Sequence, residues 1–149
     1  MNSFHEYFKY EFKEIYEAAD GSFTKRGLSL AMYLDSVRSF NSHLTMHHTI
    51  EERHIFPILA KKIPKFANTA ENGHVDSHKA IHDGLEALMK LVTNWRKEPT
   101  TYSPREMIAT LDKLKPVLFE HLDQEVQDLK GDQLKLHFTL KEIESLSRM

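Results

Sequence analysis

The sequence contains no cysteine in its 149 residues. Structural disulfides, thiolate-bound zinc and iron–sulfur clusters all depend on cysteine sulfur, so each of them is excluded. A metal ion bound by this chain must therefore be held by imidazole and carboxylate groups.

The chain also lacks a strong excess of one charge and lacks a long apolar run. Its formal net charge is -2 and its pI is near 6.5, and no cluster of lysine and arginine predicts a nucleic-acid partner. The opening residues MNSFHEYFKYEF do not follow the signal-peptide pattern, and no window approaches the roughly 18 apolar residues of a membrane span. We expect a cytoplasmic protein, with the nucleus as the alternative, that has no nucleic-acid or membrane partner.

Glycine and proline are scarce, at five residues each, which leaves long stretches without helix breakers. Apolar residues recur at three- and four-residue spacing in four of these stretches, as amphipathic helices require. The clearest helix start is Ser103, an N-cap residue followed by Pro104 and Glu106. The sequence predicts one all-α domain over residues 1–149, an up-down-up-down four-helix bundle with its core over about 3–130 and a short C-terminal tail helix from Thr139.

Histidine is abundant, with ten residues, and several histidines fall on the predicted interior faces. In three helices a histidine is followed four residues later by a glutamate or a second histidine, so both side chains lie on one helix face. In an antiparallel bundle these three pairs and a histidine at the start of the first helix lie at one level. The predicted cluster consists of His5, His47, Glu51, His78, His82, His121 and Glu125.

A metal centre is the best explanation of this cluster. A buried glutamate without a partner costs several kcal/mol, so Glu51 and Glu125 need a cation or a proton. Seven ligands exceed what one ion uses, and imidazoles with bridging carboxylates suit a pair of first-row ions. Iron fits best, and manganese and zinc remain possible.

Three segments resemble the hemerythrin and HHE cation-binding family, namely HLTMHHTIEERHIFP, SHKAIHDGLEAL and EHLDQE. The resemblance extends over residues 5 to 129. It implies that His78, His82 and His121 bind one iron and that His5 and His47 bind the other. It further implies that Glu51 and Glu125 bridge the two irons together with an oxo or hydroxo group. An open position on the two-histidine iron would then take dioxygen, peroxide or nitric oxide. The chain departs from respiratory hemerythrins at Glu125, which lies four residues after His121 where those proteins have an aspartate five residues after theirs.

The sequence also contains two alternative ligand sets. His48 and Glu52 could replace His47 and Glu51, but the apolar stripe through Leu44 and Ile55 favours the latter pair and leaves His48 as a hydrogen-bond donor beside the ligands. A ferritin-like site would use the E-x-x-H pairs at 51–54 and 71–74. The fourth helix offers no such motif, which argues against that site.

Three functions are compatible with the predicted site. The first is reversible binding of dioxygen or a related small ligand for sensing or storage. The second is an enzyme that decomposes peroxide or reduces nitric oxide. The third is iron homeostasis, and the sequence does not separate the three.

Overall fold

The computed structural model describes residues 2–61 and 74–128, with side chains described for residues 5–61 and 76–127. These residues form helices and short connections, without a strand. The helices are α1 (Asn2–Ala18), α2 (Leu30–Ile50), α3 (Phe56–Leu59), α4 (His74–Lys97) and α5 (Pro104–Asp128). A π-helical turn, Glu51–Ile55, joins α2 and α3 into one continuous rod. Within the described residues, no helix is long and apolar enough to cross a membrane.

The bundle consists of four helical rods, which are α1, α2 with α3, α4 and α5, and each rod is antiparallel to its neighbours. At one level the Tyr16 hydroxyl donates to Asp112 at 2.7 Å, and near the other end of α1 the His5 ring lies 3.2 Å from the Leu122 carbonyl oxygen. Each rod packs against the next along the chain, and α5 returns to pack against α1. The predicted all-α, up-down-up-down bundle is confirmed. The predicted tail helix from Thr139 lies outside the described residues.

Side-chain caps fix the starts of two helices. Ser29 precedes α2, and its hydroxyl accepts a hydrogen bond from the Met32 amide at 3.2 Å. Ser103 caps α5 in the same way through the Glu106 amide, also at 3.2 Å. The start of α5 predicted at Ser103 and Pro104 is therefore confirmed.

Two tyrosines close the end of the bundle where α1 terminates. The Tyr33 hydroxyl donates to the Ile15 carbonyl at 2.7 Å, and the Tyr102 hydroxyl donates to the Ala19 carbonyl at 2.6 Å. The last carbonyls of a helix have no partner within the helix, so these bonds satisfy groups that burial would otherwise leave unpaired. We call this arrangement, Tyr33 and Tyr102 on the end of α1, the tyrosine clamp.

The interior is apolar over most of its length and polar at the end opposite the tyrosine clamp. In the apolar part α4 and α5 approach closely at Gly84, where an added Cβ would lie 3.0 Å from the Leu114 side chain. At the other end the buried polar residues are His5, His48, Glu51, His78, His121 and Glu125.

Candidate metal centre

The structure brings six of the seven predicted ligands together at one end of the bundle. His5 comes from the start of α1 and His78 from the start of α4. His47 lies near the end of α2, Glu51 begins the π-helical turn that follows it, and His121 and Glu125 lie near the end of α5. Among the described residues, three overlapping groups have ligand atoms within 4.8 Å of one another. These groups are His5, His47, Glu51 and Glu125; then Glu51, His78, His121 and Glu125; and finally His48, His78 and His121.

The Glu51 carboxylate faces two sets of imidazoles. Its Oε1 contacts His47 Nε2 and lies 4.0 Å from His5 Nε2, whereas its Oε2 lies 3.2 Å from His78 Nε2. The side chain is fully buried. One oxygen therefore points to each half of the cluster, as a carboxylate bridging two ions requires.

The two oxygens of the Glu125 carboxylate also face different imidazoles. Its Oε1 lies 3.2 Å from His5 Nε2, and its Oε2 lies 2.9 Å from His121 Nε2 and 3.7 Å from His78 Nε2. Within the described part of the chain, no oxygen of either glutamate accepts a hydrogen bond of ordinary geometry. Buried anionic oxygens without such bonds fit cation ligands, because a positive ion would satisfy them without a directed hydrogen.

The electrostatics keep both carboxylates ionised. Burial favours their protonated forms, but the surrounding imidazoles outweigh it, so the pKa of Glu51 is lowered and that of Glu125 is well below its usual range. Burial also lowers the pKa of His5 and His78, but the two carboxylates outweigh it and raise each pKa to about 9. Without a metal, the histidine protons neutralise the carboxylates. A metal ion that binds here would displace those protons.

The second rod changes its winding at the site. The π-helical turn begins at Glu51, and Pro57 follows it. In a regular α-helix the Pro57 ring would collide with the carbonyl four residues earlier, at Arg53, so a wider turn relieves the collision. The wider turn keeps Glu51, Ile55 and the adjacent Phe56 all buried. A π-turn inside an α-helix is often found at a functional site.

Glu52 has an environment different from that of Glu51. Its side chain reaches solvent, with 40% exposed, but its Oε1 lies 3.1 Å from His78 Nδ1. A carboxylate oxygen can only accept, so the Nδ1–H of His78 donates and Nε2 is directed at the buried glutamates. A carboxylate behind a ligating histidine fixes its tautomer and orientation. The sequence offered a signal for this contact, because Glu52 directly follows the predicted ligand Glu51.

His82 is the predicted ligand that the structure leaves outside the three groups. The buried line of α4 runs from His78 to Ile81 and then to Leu85, so His82 falls beside this line and its side chain is exposed. It lies on the wall of a cavity of about 300 Å³ between α2 and α4, which reaches inward to His48 and His78.

Among the described residues, His48 is a buried histidine that the predicted ligand set omitted. The residue is 7% exposed, and its ring stacks on that of His78 with a centroid distance of 3.7 Å and an interplanar angle of 12°. Burial and the neighbouring rings of His78 and His121 hold the pKa of His48 well below its usual value, so the ring is neutral. The adjacent histidines of the sequence HH were the available signal for a second interior imidazole.

These features define a class of protein. The fold is a four-helix bundle whose facing helices place imidazoles and two shared carboxylates around one interior point, as metal-binding bundles do. The donor set is free of sulfur and suits first-row metal ions.

The comparisons identify the family. The model of the hemerythrin HHE cation-binding domain matches residues 1–131, and the chain belongs to that family. Among curated proteins it is similar to the dimeric xanthone biosynthesis cluster protein R11 of Cryptosporiopsis sp. (strain 8999), with 38% identity over 84 residues. That match covers 54% of this chain and 29% of the relative, so the chain spans less than a third of the relative's length. No solved structure matches the chain.

Proposed function

We propose that this protein is a hemerythrin-like non-haem di-iron protein that binds dioxygen or a related small ligand, such as nitric oxide or peroxide, for sensing or storage. The main support for this proposal is that Glu51 and Glu125 each turn one carboxylate oxygen toward His5 and the other toward His78. Two carboxylates arranged in this way suit two ions better than one, because a single ion would leave oxygens on its far side unsatisfied.

The residues divide into two half-sites that share the carboxylates. His5 and His47 form one half-site, and His78 and His121 belong to the other, to which the family pattern adds His82. An iron pair would supply a redox-active centre on which a coordination position can stay open for the small ligand. The chain itself would hold the ions, neutralise their charge and surround them with a dry interior formed by side chains such as Phe8 and Phe56.

Metal analysis with optical spectroscopy tests the proposal. The protein is loaded with iron(II) without oxygen, freed of excess metal and then exposed separately to oxygen, nitric oxide and peroxide. We expect close to two irons per chain and a new visible absorption band with at least one ligand that is reversed when the ligand is removed. One firmly bound zinc per chain, unchanged after growth in iron-rich medium, would contradict the di-iron assignment.

One observation favours an enzyme as the second candidate. The cavity of about 300 Å³ reaches His48 and His78 and is lined by Glu52, Lys79 and His82, which are groups able to carry protons. A di-iron enzyme that decomposes peroxide or reduces nitric oxide would need such access and such groups. Sustained turnover of peroxide or nitric oxide would support an enzyme over reversible binding, if His82→Ala lowers that turnover and leaves the iron content unchanged.

Iron homeostasis is tested in the same experiments. Iron that is readily transferred to a chelator, with neither ligand binding nor turnover, would indicate that function.

A further inference from the structure

In the family pattern three histidines bind one ion and two histidines bind the other. The family pattern gives His78 and His121 a third imidazole from His82, one helical turn after His78. In the structure the His82 side chain is exposed and belongs to none of the converging groups. Bringing it inward would require α4 to rotate, yet α4 is locked by buried Ile81 and by the close approach of Gly84 to α5.

His48 lies where a third imidazole is needed. One ring nitrogen from each of His48, His78 and His121 falls within 4.8 Å of the others. Two nitrogens that bind one ion at roughly 2.1 Å are at most about 4.2 Å apart, so the three rings need only a small contraction. The Nε2 atom of His48 is buried and has no hydrogen-bond partner among the described residues. A buried ring nitrogen in this state is available for a cation.

The geometry of α2 explains how adjacent histidines can serve different ions. Successive residues of an α-helix are rotated by about 100°, so His47 and His48 project to opposite sides of the interior line of α2. Glu51 falls at about 40° from His47 in the direction of His48, and so between the two. Consistent with this, the His47 ring lies 5.6 Å from His5, whereas the His48 ring stacks on His78.

We infer that His48, and not His82, is the third histidine of the ion held by His78 and His121. The two ions are then bound through His5, His47, His48, Glu51, His78, His121 and Glu125. The inference rests on the proposed di-metal site and changes the ligand set that the family pattern gives it. It leaves His82 on the wall of the cavity that leads to this ion.

Metal content of matched alanine variants tests the inference. Wild type, His48→Ala and His82→Ala are loaded with iron(II) under identical anaerobic conditions, and iron per chain is measured after gel filtration. We expect about two irons in wild type and in His82→Ala, and a fall toward one in His48→Ala. Circular dichroism of each variant in chelator checks that the metal-free fold is kept.

The possible outcomes separate the inference from the proposed function. Wild type without stoichiometric metal would refute the di-metal site itself. Wild type with two ions, together with loss of an ion from His82→Ala or retention of both by folded His48→Ala, would overturn the role of His48 alone. If His48→Ala does not fold, His48→Gln replaces it, and His82→Ala remains decisive because its exposed side chain contributes little to packing.

Discussion

Glu51 and Glu52 are neighbours in the sequence but have different chemical roles. Glu51 is fully buried and faces three imidazoles, whereas Glu52 is partly in solvent and accepts a hydrogen bond from the back of the His78 ring. In the proposed site Glu51 would contact the metal ions directly. Glu52 would orient His78, and the loss of such an orienting group usually weakens metal binding by about 10- to 100-fold.

Glutamine at each position separates these roles while keeping the side-chain size. We predict that Glu51→Gln loses both irons, because an amide cannot supply the anionic bridge. Glu52→Gln should still bind two irons, with affinity for the ion on His78 lowered by about 10- to 100-fold. Iron per chain and competition with a calibrated chelator measure the two effects. Equal losses in both variants would contradict the distinction.

His5 tests whether the first helix takes part in the site. Its Nδ1–H donates to the Leu122 carbonyl oxygen, which directs Nε2 toward Glu125. We predict that His5→Ala lowers the iron content toward one per chain, since His47 would be the only imidazole left in that half-site. Reaction with oxygen or peroxide should be lost while helical circular dichroism is nearly unchanged. His43→Ala, which removes an exposed histidine from α2, is the matched control and should keep two irons.

At the scale of the helices, features set by residues close together in the sequence were predictable, whereas features set by the rotation of one helix against another were not. The start of α5 was predictable because Ser103 and Pro104 act within one turn. The convergence of His5, His78 and His121 was predictable from four-residue spacing and antiparallel topology. The outward position of His82 and the inward position of His48 were not, because they depend on how α4 is rotated against α2, and the packing of these helices fixes that rotation. The π-helical turn was likewise hidden, since Pro57 alone does not specify where a helix widens.

The tyrosine clamp makes the end of α1 sensitive to alkaline pH. Burial raises the pKa of Tyr33 far above its usual value and raises that of Tyr102 to about 12. Above about pH 10 the unfolded chain loses phenol protons that the folded chain keeps, so the unfolded state binds fewer protons. The stabilisation from these phenols is therefore fully present below about pH 10 and is lost as the pH rises through the folded pKa values.

Tyr33→Phe isolates the contribution of one hydroxyl. We predict that the variant is less stable than wild type by about 1–2 kcal/mol at neutral pH, because the buried Ile15 carbonyl loses its donor. Between about pH 10 and 12 its stability should fall less steeply than that of wild type. Urea denaturation at several pH values gives both quantities. Tyr10→Phe, which alters an exposed tyrosine of α1, should match wild type throughout.

At the scale of the whole molecule, the two ends of the bundle are stabilised by different means. The clamp end is held by hydrogen bonds within the protein and by aromatic packing, including the Trp95 ring at 4.8 Å from Tyr102. The other end buries two ionised glutamates among histidines, where histidine protons would take the place of a removed cation and leave charged side chains in a poorly solvated place. Bound metal should therefore stabilise one end of the bundle directly and the other only through shared packing.

Because the tyrosine clamp holds its end of the bundle without metal, we expect the two ends to open independently. In native-state hydrogen exchange, chelation of the metal should speed exchange of amides near His47, His78 and His121 by an order of magnitude or more, through opening of that end alone. Amides near Tyr33 and Tyr102 should change far less. Metal-loaded Tyr33→Phe should show the reverse pattern, and uniform acceleration along the chain in either experiment would mean that the bundle opens as one unit.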